Sequence, residues 1–487
     1  MIIGITNHKI MESEKLTKFL ELSYDDLEKR NLEMFKKQET KSDREIEKEY
    51  VAYLKKEKSI KAVTLCFSNI EGRFHMLDYD KSFFVDAYEN LTFDGSSIRG
   101  LSKLGESDLR LSADWATMRL VPSDIFGPGK VIMFAEVLDK DRKPYVTDFR
   151  AQLKAYAEYL SKNKGFMVNL AAEVEGFLMN GTDAEQKFNQ EQSFTLVSSG
   201  GYYHSLPLDS LRLFIDRAAE VQRALAFKNE KDHLEVAPSQ FELNFSYASI
   251  VRACDNIQLY KLVCRQVARN MGMTASFLPK PITNINGSGM HLNLSLAKGG
   301  KNIFYDAKGD DKLSDIAWKM ISRILNHAPE ICLTLNSSVN AYRRLDPNFE
   351  APNQIKVSSC DRGSMIRIPM GNEKSTRIEV RSVSPDANPY LASFALLKTG
   401  LEGNVLEKDE QKRDRLRFLP SSINDAIRLF KSSDFVGVIL GGEAKEKYFA
   451  FKQTSADRSP KELGTLVKTS EVIYHHEVTN QVLWNRF

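Results

Sequence analysis

Five glutamates and one histidine, all set in short apolar segments, are where this sequence can do chemistry. In AEVEGF, Glu173 and Glu175 are two apart, so on a strand both side chains leave the same face. Carboxylates aligned that way repel each other unless something cationic sits above them. In HLEVAPSQFEL, Glu235 and Glu242 are seven apart. That odd spacing would split them between the faces of a straight strand, but Pro238–Ser239 marks a bend that turns both inward. Arg377, Glu379 and Arg381 of TRIEVR share one face, and the Gly-rich turn of NGSGMH delivers His291 to the start of another strand. Each alone is what a solvent-facing strand would show, because exposed charge is the norm. Together they form a carboxylate-rich set with a single imidazole, which suits Mg²⁺ or Mn²⁺ rather than structural zinc. Six ligands divide naturally between two ions. The arginines point to an anionic substrate, since a guanidinium grips carboxylate or phosphate through a planar fork. Metal-assisted phosphoryl transfer or hydrolysis is the expected chemistry. There is no GxxxxGK[ST] loop, and Gly287-Ser288-Gly289 lacks the third glycine of a dinucleotide fingerprint.

Strands must position most of these groups. LAAEVEGFLM, HLEVAPSQFELNF, GMHLNLSL, MIRIPM and TRIEVRSV read as β-segments, set among helices predicted at 210–227 and 250–273 from apolar residues repeating at three and four. Upstream, KAVTLCF and RFHMLDY are joined by Asn69–Gly72 and read as a hairpin, followed by a further strand, KVIMFAEVL, at 130–138. Residues 11–58 are dense in Lys and Glu with apolar residues at Leu16, Phe19, Leu20, Leu27 and Phe35, a charged, weakly amphipathic helical region that reads as a solvated face or a packing arm. The expected division is a charged helical extension over 1–54, a small mixed domain over 55–145 and a large α+β domain over 146–487.

A chain of 487 residues is long enough for two or three domains at about 150 residues each. Lys and Arg number 68 against 65 Asp and Glu, a net +3, so no global field recruits nucleic acid or an anionic membrane. With 42% hydrophobic and 27% charged residues, whole-chain disorder, collagen-like repetition and a disulfide-stapled miniprotein are excluded. Cys66, Cys254, Cys264, Cys332 and Cys360 are scattered without CxxC spacing and read as reduced thiols. The opening apolar run is too short for a signal sequence, and no stretch approaches the roughly 18 apolar residues of a membrane span. A cytoplasmic protein is expected.

In chain order, FDGSSI (93–98), ESDLRL (106–111), HLEVAPSQFEL, FLPKP (277–281), NGSGMH (286–291), AYRRLDPNFEAP (341–352), RGSMIRIP (362–369), RIEVR (377–381) and NPYLA (388–392) resemble the motifs of class I glutamine synthetases. The resemblance runs from about residue 47 to the C-terminus. It implies an N-terminal β-grasp domain, then a catalytic domain with a curved antiparallel sheet and flanking helices, assembled as a dodecamer of two hexameric rings with active sites between neighbouring subunits. The implied reaction joins ammonia to the γ-carboxylate of glutamate at the expense of ATP, through γ-glutamyl phosphate. By the same resemblance Glu175, Glu235 and Glu242 would hold one metal, and Glu173, His291 and Glu379 the other. Arg344 and Arg381 match the clamps on glutamate and the phosphoryl group, with Asn286 and Gly287 in the amino-acid site. Arg362, Arg367 and Arg377 would face ATP, with Ser295 beside them. Asp94, with Ser97 and Asp108 nearby, matches a loop that a neighbouring subunit contributes for ammonium. Tyr202 joins the substrate site, and Glu350 matches a flap that closes over the intermediate.

The pattern departs from the family at several positions. Leu234 stands where a second His is common, Ser239 where Gly is usual, and Asn293 where some members have His; Ala341 and Ser337 replace commoner residues near Arg344. The segment after Gly403 lacks the Tyr-containing loop used by some bacterial members for adenylylation, so no such control is expected. Other readings stay open: a sister ligase joining glutamate to a polyamine or other amine, or a catalytically silent homologue. Such amine ligases tend to lose the ammonium carboxylate, whereas Asp94 and Glu350 are both present.

Overall fold

Two sheets of unequal size organise the chain in a computed structural model that describes residues 20–185, 194–205, 208–405 and 416–457. The expectation of no adenylylation control rests on the segment after Gly403, of which 406–415 lie outside the described residues, as do Leu16 and Phe19.

The smaller sheet has six strands: β1 (Ala62–Ser68), β2 (Phe74–Asp80), β3 (Leu91–Asp94), β4 (Asp108–Ala113), β5 (Arg119–Leu120) and β6 (Lys130–Leu138). Its order is β2-β1-β6-β4-β3, with β5 on β6; β1 runs parallel to β6 and antiparallel to β2. The β1–β2 hairpin and the strand at 130–138 thus stand where the residue pattern puts them. β1 is buried on both faces, and its alternation says against what. Val63, Leu65 and Phe67 pack with Leu27, Met34, Ile46, Tyr50 and Leu54 of two N-terminal helices, whereas Cys66 joins the core of the large unit. Those helices, α1 (Tyr24–Thr40) and α2 (Asp43–Lys56), cover the outer face of the small sheet. Ser23 Oγ caps α1 by accepting the Asp26 N–H, and Glu45 accepts the Ser42 N–H at the start of α2. The charged arm is therefore a lid on a sheet.

Asn31 of α1 ties both units together. Its amide donates to the carbonyls of Leu120 and Ala224 at 2.9 and 2.8 Å, and accepts the Leu120 N–H at 2.9 Å. A buried ion network does the same deeper in: Arg150 forks onto Asp255 at 2.8 and 2.9 Å and reaches Asp114 at 2.9 Å.

The larger sheet has ten strands: β7 (Phe166–Asn180), β8 (Asn229–Leu234), β9 (Gln240–Phe245), β10 (Ala248–Ser249), β11 (Met273–Ser276), β12 (Met290–Lys298), β13 (Lys301–Asn302), β14 (Gln354–Ser358), β15 (Ser364–Arg367) and β16 (Ile378–Val380). Its main order is β14-β15-β16-β12-β7-β9-β8. Helices Phe149–Lys164, Ser210–Ala224, Ile250–Asn270, Asp315–Leu335 and Pro389–Glu402 supply the core on one face. The two helices expected at 210–227 and 250–273 end three residues early. Ala226 takes a positive φ of 58°, and Gly272 (φ 77°) turns the chain into β11.

The period-2 alternation of this sheet separates core from chemistry. In β7, Val168, Leu170, Ala172 and Val174 face the helices; in β12, Met290, Leu292, Leu294 and Leu296; in β16, Ile378 and Val380. The alternate residues leave the opposite face. All five cysteines are free, four buried and Cys360 exposed. Among the described residues, no helix is long and apolar enough to cross a membrane.

Candidate active site

Strand register gathers all of the acidic residues but Glu235, which the turn after β8 supplies. Across the sheet, Arg367 of β15 pairs with Glu379 of β16, Glu379 with Asn293 of β12, His291 of β12 with Glu173 of β7, Glu175 of β7 with Glu242 of β9, and Glu242 with His233 of β8. With strands about 4.8 Å apart, that row brings a carboxylate or imidazole to nearly every step. The odd Glu235–Glu242 spacing resolves as expected at a bend: β8 stops at Leu234, β9 starts at Gln240, and Ser239 between them holds φ at 60°. That left-handed conformation is why glycine is usual there. Here the serine is fully buried, and its Oγ accepts the N–H groups of Val197 and Ser198 at 2.8 and 2.9 Å, pinning a neighbouring loop.

Two compact groups result. In the first, His291 Nδ1 lies 3.5 Å from Glu173 and 3.7 Å from Glu379, and its Nε2 lies 3.8 Å from Glu175. Arginines already balance this half: Glu379, wholly buried, receives Arg367 at 2.5 Å on one oxygen and Arg381 at 2.6 Å on the other. Burial would raise the Glu173 carboxyl, but contact with His291 and the Asn293 amide outweighs it and holds it at about 2.

The second group is His233, Glu235 and Glu242, with ligand atoms within 4.8 Å of one another. Among the described residues, no such balance exists here. Burial, then the charge of Glu175, pushes Glu235 up to about 8, and burial with Glu175, Glu173 and Glu235 pushes Glu242 well above the usual carboxylate range. Burial also lowers His233, so the imidazole supplies no compensating charge. Buried carboxylates that repel one another and lack a cationic side chain are the donor set a divalent ion satisfies. The residues therefore fit a metal. Sequence reasoning had not counted two positioning groups. Gln240, two residues before Glu242, donates to Glu175 and to the Gly287 carbonyl, and the Gly289 N–H donates to Glu175 at 2.8 Å. Gln240's place on the strand face of Glu242 was the available signal.

The glycines of NGSGMH are there for close approach. A Cβ on Gly287 would lie 2.4 Å from the Pro279 carbonyl, and one on Gly289 would lie 2.5 Å from Arg344 Nη2. Arg344 is buried and held from below by the carbonyls of Val383 and Arg381 at 3.2 and 2.8 Å; burial pulls it down to about 10. Asn286 donates to Glu350 at 2.9 Å, and Glu350 itself takes φ 59°. The Tyr202 phenol donates to the Tyr203 hydroxyl at 2.8 Å and lies near Arg362, raising that guanidinium above its usual range, and its ring stands edge-on to His233. Beyond Glu173, a cavity of about 910 Å³ opens, bordered by Asn293, Ser295, Arg377, Lys374 and Tyr305.

Asp94 and Ser97 are placed elsewhere. They lie at the β3 edge of the small sheet, where the Asp94 carboxylate accepts the Ser96 N–H at 2.9 Å and both serine hydroxyls, which hold it at about 2. Asp108 is its cross-strand neighbour.

A small mixed sheet followed by a larger, carboxylate-lined sheet with two potential metal-ligand clusters defines a two-domain, metal-binding architecture that known proteins share. Residues 59–140 match the glutamine synthetase β-grasp domain, and residues 146–465 match the glutamine synthetase catalytic domain. The chain belongs to the glutamine synthetase family, whose members are glutamate–ammonia ligases that use ATP and divalent metal and are typically oligomeric. It is 36% identical to the glutamine synthetase of Methanosarcina mazei over 429 residues, covering 84% of this chain and 94% of the relative. To that of Staphylococcus epidermidis it is 34% identical over 433 residues, covering 85% and 95%. The fold is similar to a cryoEM structure of Plasmodium falciparum glutamine synthetase (TM-score 0.75, 21% identity, 85% of this chain and 96% of that one). It is also similar to a GmaS/ADP complex (TM-score 0.71, 24% identity, 84% and 96%).

Proposed function

We propose that this chain is a glutamine synthetase, forming glutamine from glutamate, ammonia and ATP through γ-glutamyl phosphate. The observation that carries this reading is the convergence of Glu173, Glu175, Glu242, His291 and Glu379 on one sheet face, with Glu235 in the adjoining turn and Arg367, Arg377 and Arg381 beside them. Glu175, Glu235 and Glu242 would hold one Mg²⁺ or Mn²⁺ and Glu173, His291 and Glu379 another, supplying positive charge against the phosphoryl oxygens.

The chain's own residues do the rest. Arg344 and Arg381, with Asn286 and Gly287, hold glutamate so that its γ-carboxylate oxygen meets the terminal phosphorus of ATP. The bond to the ADP oxygen breaks as the acyl–phosphate bond forms. Arg362, Arg367 and Arg377 neutralise charge along that path, with Ser295 at the nucleotide. Asp94 and Ser97 of a neighbouring subunit, with Glu235, Tyr202 and Glu350, attract ammonium; a carboxylate takes its proton, and the freed nitrogen attacks the acyl carbon, expelling phosphate. Glu350 keeps water from the acyl phosphate. Because Asp94 belongs to the small sheet rather than to the one that carries the acidic cluster, this reading calls for a ring of subunits, and we propose the dodecamer, in the cytoplasm and without nucleic-acid or membrane partners. The same reading divides the chain into the extension over 1–54, the β-grasp domain over 55–145 and the catalytic domain over 146–487.

A steady-state assay across amines with ATP, glutamate and Mg²⁺ or Mn²⁺, run beside a sizing experiment, tests it. Ammonia as the preferred acceptor is expected. A strong preference for putrescine or ethanolamine would overturn the assignment.

A further inference from the structure

Lys280 is a cation inside the site region that the proposed reaction does not use. Its backbone is fixed on both sides, the N–H donating to Asn340 Oδ1 at 2.6 Å and the carbonyl accepting from Asn340 Nδ2 at 3.0 Å. Its stem runs beneath the Asn286–Gly287 turn, so close that a Cβ on Gly287 would lie 3.3 Å from Lys280 Cδ. The side chain is buried, and the ammonium donates to the Ile285 carbonyl. Directly over it, 3.8 Å from Nζ to the ring centroid, lies Phe349.

Phe349 closes a single 3₁₀ turn, Pro347–Phe349, whose Asn348 N–H is capped by Asp346 Oδ1 at 3.0 Å. The next residue is Glu350, in the left-handed conformation, which a non-glycine residue keeps only when its surroundings enforce it. Three contacts do so: Asn286 on the Glu350 carboxylate, Arg381 on the Glu350 carbonyl at 3.4 Å, and the Lys280 ammonium under the Phe349 ring. On the function proposed above, Asn286 and Arg381 must turn to substrate. The Lys280–Phe349 contact is the one of the three that substrate does not compete for.

We propose that Lys280 is a positioning residue that holds the 346–350 segment over the site through the Phe349 ring, so that the acyl phosphate meets ammonia before water. The inference rests on the glutamine synthetase reading. The charged groups facing Lys280 are Asp346, from the segment itself, and Arg344, from the helix Val339–Arg344. Burial, with Arg344 opposing Asp346, brings the ammonium down to about 8, so the contact weakens in alkaline solution.

The experiment measures phosphate released per amide formed, with full-length protein, ATP, glutamate, Mg²⁺ and ammonium. Wild type is expected to stay near parity at neutral pH and to leak phosphate as pH rises through about 8. Lys280→Met and Phe349→Leu should each raise the leak about tenfold at neutral pH, and the double variant no further. Lys280→Arg, which stays charged, should remain coupled at neutral pH and also at alkaline pH. Phe349 is only half-buried, so its variant tests the idea even if Lys280→Met misfolds. A wild-type ratio in Phe349→Leu, or additive leaks in the double variant, would overturn the latch while leaving amide synthesis intact. A wild type that makes no amide from ammonia would instead remove the functional reading, and the latch with it.

Discussion

Glu175 and Glu242 stand opposite each other in the β7–β9 register, two carboxylates facing one buried space that also contains Glu235. In the folded chain without metal, Glu235 and Glu242 keep protons to higher pH than they would unfolded. Their raised values make the folded state the stronger proton binder, so stability is full below the ordinary value of 4.5 and drains away as pH rises through about 8. The melting temperature of metal-free protein should therefore fall across that window. Added Mn²⁺ should recover most at the alkaline end, and Glu242→Gln should flatten the slope. Thermal melts across pH, with and without Mn²⁺, give the answer; a flat metal-free profile would contradict the electrostatic account.

Asp94 is a different kind of carboxylate, fully exposed and kept charged by Ser96 and Ser97. Asp94→Ala should reduce ammonia-dependent amide formation about a hundredfold or more while glutamate-dependent ATP cleavage persists. Equal loss of both activities would remove its assigned role.

Asn293 bridges Glu173, a proposed metal ligand, and Arg377, proposed to face ATP. Its amide nitrogen donates to Glu173 at 3.1 Å and its oxygen accepts Arg377 Nε at 2.9 Å, an orientation set by a pure acceptor and a pure donor. Hydrogen bonds to charged groups contribute about 1.5–3 kcal/mol, so Asn293→Ala should raise the KM for ATP about tenfold or more. Asn293→Asp should do worse, because it sets a carboxylate against Glu173. Isothermal titration with Mn²⁺ checks this apart from turnover: Asn293→Asp should bind metal differently from wild type.

Asn31→Ala removes three buried hydrogen bonds at once. With the Leu120 N–H and two carbonyls left unpaired, a loss of about 3 kcal/mol in urea unfolding is expected. An unchanged urea midpoint would mean that water replaces the amide.

Much of this site was legible because catalysis and core share one alternation. Glu173, Glu175 and Glu379 sit between apolar neighbours at period two, and register alone then brings them beside His291. The Glu235–Glu242 spacing needed only the recognition that an odd count suits a hairpin, here closed by Ser239. What stayed hidden lies far apart in the chain. Asn31 meets Ala224 across 193 residues, and nothing local announces that partnership. The pairing of Lys280 with Phe349, and the burial of the charged arm against β1, likewise depend on tertiary packing rather than on pattern. Helix ends were missed by three residues for a local reason, a left-handed Ala226 that periodicity does not foresee.

The shared strands also constrain how such a protein can change. Every carboxylate or imidazole proposed as a ligand on β7, β12 and β16 has an immediate neighbour locked into the opposite face, so one inserted residue would send glutamates into oil and leucines into the cleft together. Variation that leaves the enzyme alive must therefore enter through connections, caps and appended segments such as α1. The arithmetic of the pleat acts as a ratchet on its evolution.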